Sequence, residues 1–442
     1  MDKAALLAKI EVDQSKHISF LQTFLQIPSP NPPGDTRPAS KVVIDYLKSH
    51  GIEPEIVAPQ EHMPNVVHDF EGGQLTSSKP QKVILNGHMD VFPSGPEKDW
   101  TPGRGPWSGY IDEKENRIYG RGASDMKCGT AALIIAYTYL HKYRIHLTGN
   151  VGLTCTSDEE TGGRWGARYL VDRTLDSGFG TRWHGDLMLN AEPSGIKTIR
   201  FGEKGTLRLT FTVRTAGAHG AYLHRSASAT ITASELILSL RDLISSISPP
   251  IFPSLKAYMS QPHVIEGVDR AIGAGASSII LKPTLNIGTL NGGLKVNMIP
   301  SFCTFEADIR LPIGLSGETV LSLIETQILP QYQSKTPLIE TEMQIQTSAS
   351  GSPGQPSPHD HPIIDLLASN AKHVAGLPDQ PLAIPSLGAS DCKFWRREGV
   401  PTYYYGVDAK GMGQVNESAK LDEFLTVARV LAASVWEYLA GG

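Results

Sequence analysis

Short apolar runs bounded by turn residues, alternating with helical patterns, constrain this chain's fold more than any other feature. Residues 82–86 (KVILN) and Asn150–Thr156 (NVGLTCT) are continuous apolar segments of strand length, as buried strands are. Between them, residues 131–142 carry helical spacing. Strands that alternate with helices predict an α/β layer with a mostly parallel central sheet. Two helices are expected before it. Residues 4–25 form the first, ended by Pro28, Pro30, Pro32 and Pro33, where a helix cannot continue. Residues 39–50 form the second, stopped at Gly51.

The middle of the chain follows another rule. Residues 206–214 (TLRLTFTVR) alternate strictly, as a half-exposed strand does. A helix is expected over residues 227–245 and strands over residues 284–289 and 302–311, the last with Phe305, Ala307 and Ile309 on one face. A helix over residues 317–328 and a strand over residues 339–346 follow. This order predicts a small α+β sandwich inserted into the larger domain. The Ser-, Gly- and Pro-rich residues 348–358 read as the linker back, and helices over residues 362–374 and 423–439 complete the first domain. The expected division is 1–203, 204–348 and 349–442, since 442 residues exceed one ordinary core.

A net charge of −5 with interspersed signs recommends neither nucleic acid nor an anionic membrane as partner. Charged residues interrupt the N-terminal apolar pattern, so no signal peptide is expected, and no stretch is apolar for long enough to span a bilayer. Cys128, Cys155, Cys303 and Cys392 form no CxxC pair and read as reduced thiols of a cytoplasmic protein.

The residues with chemical potential follow predicted strands, where open α/β sheets place their ligands. After the first run comes Gly87-His88-Met89-Asp90: a potential metal ligand, with an acid able to hold the second ring nitrogen. A lone HxD is also an ordinary structural pair. Next is Tyr119-Gly-Arg-Gly-Ala-Ser-Asp125, in which Asp125 is either a helix cap or a carboxylate bridging two cations. Third is Asp158-Glu159-Glu160 before paired glycines. Such acids repel one another unless a cation is near; the alternative is a solvated loop. Fourth is Asn190-Ala191-Glu192-Pro193. Together the clusters offer N/O ligation suited to zinc, with cobalt or manganese as alternatives.

In this order and spacing, the segments GHMDVFP, DWTP, GPWSGYI, IYGRGASDMK, TSDEETGG and NAEP resemble the zinc aminopeptidase-like family. That is the family of acetylornithine deacetylase, succinyl-diaminopimelate desuccinylase, aminoacylase and glutamate carboxypeptidase. The resemblance implies a zinc-peptidase-like catalytic domain with an inserted ferredoxin-like lid and dimerisation domain, and so a homodimer. It implies His88 and Glu192 on one zinc with Asp90 behind the imidazole, Asp125 between two zincs, often followed by a cis peptide bond, Glu160 on the second zinc and Glu159 as general base. Ala216-Gly217-Ala218-His219-Gly220 matches the lid histidine that steadies the oxyanion. Asn297 and Arg310 are implied as substrate ligands, Arg310 being suited to a carboxylate; for Arg310 a structural ion pair with Asp308 or Glu306 stays open. Gly388-Ala389-Ser390-Asp391 resembles the loop that helps to hold a substrate carboxylate. The implied activity is metal-dependent hydrolysis of an N-acyl amino acid or small peptide with a free carboxylate, a small-molecule substrate.

The pattern breaks once. The family's last zinc ligand is a His a few residues before an Asn-Glu pair, and here Gly413 stands before Asn416-Glu417. Gln414, Asp408 and Cys392 are poor replacements, and no His follows His373. Cys128 also stands where the family usually has Gly. One or two zincs per chain are therefore open. So are two alternatives: a repurposed enzyme forming or condensing amides on amino-acid-like substrates, and a non-catalytic binding protein.

Overall fold

The computed structural model describes residues 1–74, 79–347, 351, 353 and 355–440. They fall into two compact units. One comprises Met1–Gly202, Ser357–Ile384 and Ser390–Gly442; the other comprises Glu203–Pro356 and Pro385–Ala389. Of the linker expected over residues 348–358, positions 348–350, 352 and 354 lie outside the described residues.

The first unit is built on an eight-stranded mixed sheet. Its centre is parallel: Asn150–Thr156, Lys82–His88, Leu187–Asn190 and Thr402–Tyr404 lie side by side in that order. Antiparallel pairing begins outside them, where Asn65–Phe70 meets Asn150–Thr156. Register decides what this sheet presents. His88 pairs with Thr156, and Asn86 with Asn190. The loops after all three strands therefore leave from one end of the sheet, which brings together segments far apart in sequence.

Helix Lys127–Lys142 is buried along nearly its whole length and packs on Lys82–His88. Its close approach depends on glycine. A Cβ at Gly129 would lie 2.2 Å from the Ala191 carbonyl oxygen. Helix Leu421–Leu439 packs on the same helix.

The first expected helix is two helices, Lys3–Val12 and Gln14–Gln26. Asp2 caps the first by accepting from the Ala5 N–H at 2.8 Å. Asp13 separates them. Its carboxylate is held by the Tyr139 hydroxyl at 2.7 Å and by Lys16 Nζ at 2.6 Å. Tyr139 is a tertiary partner that local periodicity does not reveal.

The second unit carries a five-stranded antiparallel sheet, with Phe302–Leu311 between Thr284–Gly292 and Gly205–Thr215. Phe211 and Phe305 are cross-strand partners whose rings stack at 4.8 Å. Helix Ala229–Ser246 buries Leu236, Leu240 and Ile244 on this sheet, each contributing roughly 1.5–3 kcal/mol of apolar burial. The helix expected over residues 317–328 is α-helical over Gly317–Leu323 and continues as a wider π-turn over Ile324–Ile328. Three unexpected short helices, Pro253–Met259, Pro262–Ile272 and Ala276–Ile279, fill the connection before Thr284. The first two open on proline, whose fixed φ suits the first helical position. Among the described residues no helix is long and apolar enough to cross a membrane.

Candidate metal centre

His88 ends its strand with the imidazole fully buried. Nδ1 lies 2.9 Å from the Asp90 carbonyl oxygen and 3.4 Å from its carboxylate. Nε2 faces Asp125 Oδ1 at 3.2 Å and Glu192 Oε1 at 3.5 Å. Asp90 thus touches the imidazole chiefly through its main chain. Its carboxylate also accepts from the backbone N–H groups of Glu159 at 3.2 Å and Glu160 at 3.1 Å. Asn31 Nδ2 donates to it at 2.9 Å. One buried acid therefore fixes both the histidine and the start of the acidic loop.

Glu159 and Glu160 sit in a single 3-10 turn that follows Asn150–Thr156. Glu192 follows Leu187–Asn190, and its N–H donates to Asn190 Oδ1 at 2.6 Å. His88, Glu159 and Glu192 each offer a ligand atom, all within 4.8 Å of one another. Asp125 joins them through His88, and the peptide bond to Met126 is cis.

The loop bearing Asp125 is held from the far end of the chain. Glu417 is fully buried; its Oε1 accepts from the N–H groups of Gly122 at 3.2 Å, Ser124 at 2.8 Å and Asp125 at 3.1 Å. Its other oxygen takes a short bond from Arg121. Removing one partner of such a buried pair costs about 3–5 kcal/mol. Arg121 also donates to the Gly413 carbonyl at 3.1 Å.

The electrostatics ask for a cation. Burial pushes the Glu159 and Glu160 carboxyls well above the usual range. Burial, aided by the charge of Asp125, lifts Glu192 to about 7. For His88, burial works against protonation, but hydrogen bonds to Asp125, Asp90 and Glu192 outweigh it and raise its pKa well above the usual value. Glu160 Oε1 is buried without a hydrogen-bond partner. Several carboxylates around one imidazole at low dielectric, one of their oxygens unsatisfied, fit a divalent cation with N/O ligation.

The remaining expected site residues divide between the two units. Ser390 is buried in the first unit, and its carbonyl accepts from Lys393 Nζ at 2.9 Å. His219, Asn297 and Arg310 belong to the second unit. His219 is exposed in a two-residue strand, where it pairs with Met298. Arg310 makes the structural pairing that the sequence leaves open, donating to Asp308 at 2.9 Å. Glu417 and Lys393 are missed by reasoning from the sequence. Glu417 has a signal in the Asn-Glu pair; Lys393 has none.

The profile of Peptidase family M20/M25/M40 matches residues 84–437. A succinyl-diaminopimelate desuccinylase of Paracoccus denitrificans is 27% identical over 361 residues, covering 80% of this chain and 83% of that one. Among solved structures, an M20 family metallo-carboxypeptidase from Sulfolobus solfataricus superposes with a TM-score of 0.76 at 18% identity, covering 96% of this chain and 99% of that one. Human carnosine dipeptidase 1 gives 0.68 at 16% identity, with 98% of each chain covered.

Proposed function

The chain belongs to Peptidase family M20/M25/M40 and is a metallohydrolase of peptide or amide bonds; from that premise we propose that it cleaves an N-acyl amino acid or small peptide bearing a free carboxylate. The observation that carries this reading is the set His88, Glu159 and Glu192, with Asp125 against the same imidazole. His88, Glu192 and Asp125 would hold one cation, and Asp125 and Glu160 a second, weaker one. When bound, a zinc-type cation supplies Lewis acidity toward the scissile carbonyl and makes water more acidic. Glu159 takes the proton of the attacking water and returns it to the leaving amine. A base that must also serve as an acid benefits from a raised proton affinity, which burial gives this carboxyl. Asp90 orients His88 and the turn that carries Glu159. Ser390 engages the substrate carboxylate. Arg310 can take a carboxylate only by leaving or sharing its bond to Asp308. The test is amine release from a panel of N-succinyl and N-acetyl amino acids and dipeptides. Turnover abolished by a chelator and restored by zinc or cobalt is expected; a panel without any turnover overturns the reading.

The same reading makes the protein a cytoplasmic homodimer joined through the second unit. All four cysteines are buried and none is in a disulfide, as a reducing compartment favours. Strand Thr284–Gly292 is a sheet edge, and Leu290, Leu294, Val296 and Met298 on and after it are exposed. An apolar sheet edge of this kind invites pairing with another chain. Light scattering is expected to give a dimer that Leu290→Lys with Val296→Asp converts to monomer; a monomeric parent chain refutes the assembly.

A further inference from the structure

Lys393 stands in the second position of the short helix Cys392–Arg397, its ammonium 4.0 Å from Glu159 Oε1. Both side chains are nearly buried, with exposures of 11% and 13%. The ammonium is anchored from behind by the Ser390 carbonyl at 2.9 Å, so it cannot swing away without losing that bond. Asp90 fixes the Glu159 main chain through its N–H and leaves the placing of its carboxylate to other groups.

That carboxylate faces a conflict. Glu159 lies close enough to His88 and Glu192 to ligate the same cation. A carboxylate bound to a cation takes a proton far less readily, because the positive charge favours its ionised form. To act as base, Glu159 needs an opposing attraction. Gln or Met at position 393 would not supply one; a second cationic side chain would.

We propose that Lys393 is a positioning residue that draws the Glu159 carboxylate out of the coordination sphere and so keeps it available as base. This rests on the assignment of Glu159 as base, but its central measurement does not require turnover. In the full-length protein, Lys393→Gln should tighten cobalt(II) binding about tenfold, a modest share of what a charge a few ångströms away contributes. The visible absorption of bound cobalt should weaken as Glu159 adds to its coordination number. Both changes should vanish when Glu159→Gln is added, because the variants then share one cause. Lys393→Arg should restore the parent affinity and spectrum. On a substrate found in the panel, Lys393→Gln should lower kcat about 100-fold with KM unchanged.

Unchanged cobalt affinity and spectrum in a Lys393→Gln protein that melts like the parent overturn the proposal. A raised KM with unchanged kcat also overturns it, since Lys393 would then bind substrate. Weaker cobalt binding makes Lys393 a structural support and overturns it as well. Full activity in Glu159→Gln instead removes the base assignment and leaves the coordination result standing.

Discussion

Replacing Glu159 by Gln is expected to lower kcat by roughly 10²–10⁴-fold, the range over which a positioned general acid–base acts. The substitution keeps the volume and removes the ability to take a proton. Little else should change. The turn is held by the carboxylate of Asp90, which bonds the N–H groups of Glu159 and Glu160 and needs neither side chain. His88, Asp125 and Glu192 keep their mutual contacts, so cation content and melting temperature should stay near the parent values. That combination separates a chemical role from a ligand's role. Loss of His88 should release the cation and the activity together; loss of the Glu159 carboxylate should release only the activity. Metal content by elemental mass spectrometry, measured beside kcat, decides between them. Glu159→Gln retaining turnover within a few-fold would exclude this residue as base.

How much of this centre the sequence discloses depends on where each contact comes from. His88, Asp125, Glu159, Glu160 and Glu192 follow strands or glycine turns whose apolar runs are local, so their order along the chain already suggests a cluster. The register that makes the cluster real, His88 beside Thr156 and Asn86 beside Asn190, follows from parallel pairing of runs about equally apolar. Lys393 is different. It meets Glu159 only because the short helix Cys392–Arg397 packs beside that turn, and nothing in the sequence around it marks one lysine among the 40 Lys and Arg residues. The break at Asp13 is hidden for the same reason, its partner Tyr139 lying far along the chain. The helices opening on Pro253 and Pro262 are legible in principle, since a proline that ends one element can start the next.

Gly413→His should strengthen binding of a second cation by at least about 10–100-fold, because an imidazole ligand contributes no less than the outer contacts whose loss costs that much. The backbone admits the change. Gly413 has φ +72°, a left-handed conformation that costs an L-residue roughly 1–2 kcal/mol, and a Cβ built there meets nothing within 4 Å. The turn is also coupled to the right place. The Gly413 carbonyl accepts from Arg121, Arg121 pairs with Glu417, and Glu417 holds the N–H groups of the loop that ends in Asp125. An imidazole at position 413 thus starts from a segment tied to the carboxylate it would share a cation with. Glu160, whose Oε1 is buried without a hydrogen-bond partner, would be the remaining ligand of that pair. Calorimetric titration of metal-free protein with cobalt should show one strong site in the parent and a second strong site in the variant, with a slightly lower melting temperature from the backbone strain. If hydrolysis rises with the second site, Gly413 limits the chemistry by limiting the metal. If the folded variant binds no more cobalt than the parent, position 413 does not reach the Asp125–Glu160 side of the centre, and a one-cation hydrolase becomes the design of this chain.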